Sequence, residues 1–229
     1  MTGLFAALDA TWPAAATHRA GGWLVREGRG GGKRVSSAVV AAADAAATIA
    51  AAEATHSAIG QPPLFCLRPD ESPAEADADL ALAGLGYRIA DPVLLFTAPV
   101  ARIAAEPPAR MTTFPIWPPL AITAELWAEG GIGPERLQVM ERAPGPKTAI
   151  LGREADRAAG AAFAALCGDI AMIHALHVAP DQRRRGLGRN LMRAAAAGLG
   201  GRGRHRRADR AGRDRSNPRS LLRSTARWA

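Results

Sequence analysis

The sequence predicts a mixed α/β fold, and three observations lead there. Short apolar, partly β-branched runs alternate with Ala- and Leu-rich segments of helical composition. Gly and Pro punctuate the joins between them. A longer apolar run, Ile170 to Val178, is stopped by Ala179-Pro-Asp, and a Gly-punctuated turn then opens a helix. Composition agrees. Of 229 residues, 48% are hydrophobic and 22% charged, a globular balance rather than a disordered one. Asp44 and Glu53 break the Ala-rich stretch from Ala38 to Ala54, and no run approaches the ~18 apolar residues of a membrane span. The first residues lack a basic n-region and an apolar h-region, so a cytoplasmic protein without a membrane partner is expected. Two cysteines, Cys66 and Cys167, and five scattered histidines point to neither a disulfide scaffold nor a metal site.

The elements follow in order. Trp23 to Glu27 and Val35 to Val40 read as strands, joined by the Gly-rich turn Gly28 to Lys33. That turn opens no helix, so a hairpin loop is expected rather than a phosphate loop. Asp44 to Ile59 has helix composition and is stopped by Gly60 and Pro62. Leu64 to Arg68 reads as a strand, Pro73 to Leu85 as a helix closed by Gly86, and Tyr87 to Ile89 with Val93 to Thr97 as a strand pair. The Pro-rich stretch 106–119 reads as a linker between a first section, 1–105, and a second, 120–199. In the second, Ala121 to Trp127 and Pro134 to Met140 read as helices. Lys147 to Arg153, Ala159 to Leu166 and Ile170 to Val178 read as strands, and Arg185 to Ala197 as a helix with Leu187, Leu191 and Ala194 on one face.

The remaining section, 200–229, is different in kind. Ten arginines and two acids fall between Arg202 and Arg227, a net +8 that equals the formal charge of the whole chain. Everything before it is therefore neutral, and the pI near 11.0 describes the tail and not the fold. With few apolar residues the tail cannot bury a core, and an irregular or disordered segment is expected.

The chemistry concentrates in Ile173-His-Ala-Leu-His-Val-Ala-Pro-Asp-Gln-Arg-Arg-Arg-Gly-Leu-Gly-Arg-Asn. A strand ends, a basic turn follows, and a helix begins. Unpaired N–H groups at such a turn form an anion cradle, and the helix dipole adds positive potential. Gly186 and Gly188 let a phosphate approach the main chain. Arg183, Arg184, Arg185 and Arg189 add charge beside it. Physics alone gives a diphosphate or similar anion at a strand-to-helix turn.

This stretch resembles the acetyl-CoA signature of the GCN5-related N-acetyltransferases. The family pattern Arg/Gln-x-x-Gly-x-Gly/Ala is matched by Arg183, Gly186 and Gly188, behind a strand ending Val178-Ala179-Pro180. The resemblance implies an acetyltransferase-like fold, acetyl-CoA as co-substrate, and transfer of its acetyl group to a primary amine. That amine would belong to a small molecule, a protein N-terminus or a lysine. It implies that amides from Arg184 through Leu187 and Gly188 hold the pyrophosphate, and that the strand edge at Leu176 and Val178 pairs with pantetheine. The first section is similar more faintly, through Leu64 to Arg68, a helix, and Leu85-Gly-Tyr-Arg-Ile with Val93-Leu-Leu-Phe. It lacks the anion signature, so the whole looks like a tandem arrangement with a degenerate first half.

Beyond the helix the resemblance stops. The family continues with a helix bearing Ala-Leu-Tyr-x-x-Leu/Met-Gly, whose Tyr protonates the leaving thiolate. The only tyrosine here is Tyr87. Regrouping the codons of Leu222 to Ala229 by one base admits Ala-Leu-Tyr-Arg-Ala-Met-Gly, which suggests a tail read out of frame. The rival reading is an Arg-rich arm for nucleic acid, a partner not otherwise expected; such arms usually carry Lys and aromatic residues too. His174, two residues before Leu176, is the candidate general base, with a satisfied strand histidine as the competing reading. Strand alternation puts His177 on the opposite face from His174. Glu125 and Glu129 could face a cationic amine or be solvated, and Cys167 lacks a catalytic constellation. Without the Tyr-bearing helix, impaired turnover or an inactive CoA-binding protein is also expected. Oligomeric state is not readable.

Overall fold

The computed structural model describes residues 2–207 and 224–228. The fold is mixed α/β, as predicted, and pairing within every sheet is antiparallel. The chain forms two compact units: Met1–Pro13 with Ala98–Pro218, and Ala14–Thr97 with Arg219–Ala229.

The first unit is built on four strands: β6 (Thr113–Ile116), β7 (Lys147–Glu154), β8 (Arg157–Cys167) and β9 (Ile170–Val178), in the order β6-β7-β8-β9. On one face lies α8 (Leu187–Arg207), whose Leu187, Leu191, Ala194, Ala195 and Leu199 pack on Ile150, Ala159, Ala162 and Ala164. Glycines at 152 and 160 leave room for Leu187 and Leu191, so the helix start sits tightly over β7 and β8. Alternation turns Ala161, Phe163 and Ala165 to the other face. There α1 (Thr2–Thr11) packs against β8 and β9, burying Phe5, Ala7 and Leu8, and Trp12 just beyond it meets Phe163 edge-on at 6.1 Å. Two further helices, α6 (Ala121–Glu129) and α7 (Pro134–Arg142), come before β7. Lys147 closes the end of α7 by donating to the carbonyls of Glu141 and Ala143, over the Trp117 ring at 4.8 Å.

The second unit pairs β1 (Ala16–Ala20), β2 (Trp23–Glu27) and β3 (Ala38–Val40) in one sheet, and β4 (Cys66–Leu67), β10 (Ser224–Trp228) and β5 (Val93–Leu95) in another, with β10 central. Its core is Trp23, Val25, Phe65, Leu67 and Leu82, sealed by α3 (Ile49–Ala58) and α4 (Pro73–Gly84). Trp23 and Phe65 meet edge-on at 4.8 Å, and the Trp23 indole donates to the Ala45 carbonyl at 2.8 Å.

Several elements differ from the sequence reading. The strand expected at Val35 to Val40 is split into a turn of helix, α2 (Lys33–Ser36), and β3. Tyr87 to Ile89 forms no strand; its ring packs on Phe65 instead. The stretch read as linker contains β6, and a short helix, α5 (Val100–Ile103), precedes it. The expectation of an irregular tail covers 200–229. Of that stretch, 200–207 continue α8 and 224–228 form β10, while 208–223 lie outside the described residues. No helix among the described residues is long and apolar enough to cross a membrane.

Candidate functional site

The loop after β9 is a stack of local constraints. Pro180 to Gln182 make one 3₁₀ turn, and Gln182 is buried. Its amide donates to Asp181 at 2.9 Å and, with the Arg157 guanidinium, holds that carboxyl below its usual range. Arg184 and Gly186 then adopt positive φ, 67° and 93°. Alternation of left- and right-handed residues turns successive N–H groups to one side, the geometry of an anion nest. The first bond of α8 runs from Asn190 N to the Gly186 carbonyl at 3.1 Å, so the N–H groups of Leu187, Gly188 and Arg189 have no acceptor within the helix.

The two glycines have different reasons to be there. Gly186 is required by its φ of 93°, while a Cβ on it would point into open space. At Gly188 a Cβ would meet only Val178 Cγ2, at an ordinary 3.9 Å. Among the described residues nothing demands a glycine at 188, in the first turn of a helix, and its main chain is left open to close approach.

The basic residues divide. Arg183 spends its Nε on the Val178 carbonyl at 3.0 Å and pins the loop to the strand end. Arg185 donates to Gln182 at 3.3 Å. Arg184 and Arg189 are exposed beside the nest.

The sheet is opened by a bulge. Phe163 faces His174 and Ala161 faces His177, so Ala175 and Leu176 together stand opposite Ala162. Ala175 takes φ 50°, and its carbonyl accepts from the buried Trp127 indole at 2.8 Å. Past the bulge, Ala179 N donates to the Ala159 carbonyl at 2.8 Å, towards β8. The two-residue period then turns the main-chain groups of Leu176 and Val178 to the other edge of β9, where no described strand pairs. Leu176 is exposed there.

The bulge corrects the expected placement of the histidines. Both rings lie on the side of the sheet facing α1 and α6. His174 is buried beside Trp12 and Phe163, with Nε2 2.9 Å from Thr11 Oγ1. Thr11 gives its own proton to the Ala7 carbonyl at 2.7 Å, so it accepts from His174 Nε2–H. His177 lies against Gly130 at the end of α6, and its Nε2 is buried without a partner. Sequence alternation missed that position because a bulge is set by pairing with β8, not by β9 itself. Glu125 and Glu129 are exposed on α6, and Cys167 ends β8 at a tight turn. Among the described residues no His, Cys, Asp and Glu cluster could hold a metal ion.

A nest at a helix start, beside an open strand edge, is what the expected signature needs. Residues 114–221 match the model of the acetyltransferase (GNAT) family. The chain is also similar in fold to solved structures. One is a GCN5-related N-acetyltransferase from Kribbella flavida, with TM-score 0.65 at 18% identity over 96% of this chain and 91% of that one. Another is a functionally unknown conserved protein from Staphylococcus epidermidis, with TM-score 0.59 at 8% identity over 94% and 93%. No curated protein matches the sequence. The GNAT-like fold therefore extends over nearly the whole chain, while the family match covers the nest, β7 to β9 and α8.

Proposed function

We propose that this protein transfers an acetyl group from acetyl-CoA to a primary amine. The observation that carries the reading is Gly188: a helix-start residue kept without a side chain for no reason found among the described residues, beside N–H groups that have no acceptor within the helix. The pyrophosphate is held by the main chain from Arg184 to Gly188, with Arg184 and Arg189 screening its charge. Pantetheine runs along the β9 edge past Val178 and then Leu176, which brings the thioester to the bulge. A main-chain N–H near Leu176 polarises its carbonyl.

Calorimetric titration with acetyl-CoA, beside a thiol-release assay over small amines, a lysine peptide and a free protein N-terminus, tests the reading. One acetyl-CoA per chain is expected, since residues 1–105 lack the signature and are read as a degenerate acetyltransferase-like half. Absence of binding would overturn it, and two equivalents would overturn the degenerate half.

One observation favours a second reading, a CoA-binding protein without turnover. The only tyrosine, Tyr87, lies in the other unit, where its hydroxyl donates to Glu53 at 2.6 Å and burial raises its pKa. Binding without thiol release across all three amine classes would establish it. The reading of 200–229 as out of frame is checked by the coding DNA: early stops in the alternative frame exclude it.

A further inference from the structure

We propose that His177, not His174, is the base that receives the proton of the acetyl acceptor, an inference that rests on the acetyl-CoA reading of the β9 edge.

Two independent features single out this ring. Its Nε2 is shut away from solvent and has no hydrogen-bond partner among the described residues. A buried nitrogen left unpaired costs about 1–3 kcal/mol, so a structure retains one only where something else compensates. The second feature is Gly130. Its φ of −82° and ψ of 7° are open to any residue, so its backbone conformation does not call for glycine. A Cβ there would run into the His177 imidazole. The chain leaves out a side chain at 130 to make room for this ring, and then supplies Gly131 and Gly133 in the same turn.

Position supplies the chemistry. His177 lies between Leu176 and Val178, whose main-chain groups face the open edge, and one residue beyond the bulge. A thioester carried along that edge to the bulge stops within about one strand residue, ~3.4 Å of rise, of His177. Gly130, at the end of α6, abuts the ring on its Nδ1 side. For the amine to reach Nε2, the groups that now shut it from solvent have to part when coenzyme A and the amine bind, which places the amine between Nε2 and the thioester.

The step is balanced within these groups. The amine nitrogen attacks the thioester carbonyl and forms the C–N bond, while its proton passes to Nε2. The C–S bond breaks with its electron pair on sulfur, and the CoA thiolate takes a proton from water on release. His174 Nε2 is engaged with Thr11 Oγ1 at 2.9 Å, so that nitrogen is not the one that receives the proton.

The test uses full-length protein with ¹⁵N-labelled histidine. Long-range ¹H–¹⁵N spectra are recorded alone, with coenzyme A, and with coenzyme A plus n-butylamine, a pair that cannot react. The His177 Nε2 resonance of the free protein is the reference. That resonance should move when the amine joins coenzyme A, while His174 stays. In a second arm His177→Gln should keep acetyl-CoA affinity within about twofold by calorimetry, and lose thiol release with acetyl-CoA and butylamine by about 10²-fold or more. Coenzyme A bound with an unmoved His177 resonance, or thiol release unchanged in His177→Gln, overturns the inference and leaves the acetyl-CoA reading standing. No binding of coenzyme A overturns both. Because the spectra need only the natural chain, a variant that fails to fold does not remove the test.

Discussion

Gly186 and Gly188 sit two residues apart and should respond oppositely to alanine. Gly186→Ala forces a left-handed φ on a residue with a Cβ, at a cost of about 1–3 kcal/mol visible as a lower denaturation midpoint. Gly188→Ala meets no clash and should raise stability by up to about 1 kcal/mol, because alanine is the better helix residue. Acetyl-CoA affinity should nevertheless fall at least tenfold for Gly188→Ala. A variant that is stabilised and still binds normally would remove the main support for the nest. His174 makes a different kind of prediction. Thr11→Val takes away the acceptor of a buried N–H, so unfolding free energy should drop by about 1–3 kcal/mol with acetyl-CoA affinity unchanged. The nest was legible because a Pro stop, two glycines and a helix start are local chemistry. The histidines were not, since one inserted residue at Ala175 reverses every side-chain direction after it, and only pairing with β8 fixes where that residue goes.

At the scale of elements, the bulge is held from outside the sheet. Trp127 of α6 is fully buried and its indole N–H fills the Ala175 carbonyl. Trp127→Phe keeps most of the packing and loses that bond. A stability loss of about 1–3 kcal/mol is expected, together with weaker acetyl-CoA binding if the open edge depends on the bulge. Helices α4, α6, α7 and α8 were readable from caps and period, because Pro73, Pro134 and Gly86 mark ends that act within a few residues. The strand expected at Tyr87 to Ile89 failed for the reverse reason: a short apolar run does not say whether it pairs or packs. On α4, Ser72 caps the Glu75 N–H at 3.3 Å, and burial raises the pKa of the Glu75 carboxyl above 4.5 despite a bond from Arg68 N at 2.8 Å. The sign follows from proton counting. Between the unfolded pKa and the raised folded one the native state binds more protons, so this group makes stability fall as pH rises through that window. Glu75→Gln keeps the acceptor for Arg68 and should flatten that part of the stability profile while raising stability at neutral pH. Parallel profiles for the two proteins would contradict the assignment.

For the molecule as a whole, charge and topology pull the arginine-rich end in different directions. All of the formal +8 can be assigned to 202–227, which makes a polyanion-binding arm the obvious electrostatic reading. Deleting the end is the obvious test, and the topology spoils it. β4 and β5 do not pair with each other; each pairs with β10, which lies between them. A chain cut after Arg219 should leave two strands of two and three residues without a ladder partner, so lower thermal stability and self-association are expected whatever the arginines bind. The charge has to be changed with β10 left in place. Replacing Arg210, Arg213, Arg215 and Arg219 by Gln cuts the net charge by four and touches neither α8 as described nor β10. If the arm binds nucleic acid, the slope of log affinity against log salt for a mixed-sequence duplex should fall by up to about 0.9 for each phosphate contact removed. If the protein is an acetyltransferase whose only designed anion is coenzyme A, that substitution should leave acetyl-CoA affinity unchanged, whereas Arg184→Gln with Arg189→Gln should weaken it and reduce its salt dependence. Duplex binding that is tight, specific and abolished by the four-residue variant, with no binding of acetyl-CoA, would reverse the functional order proposed here.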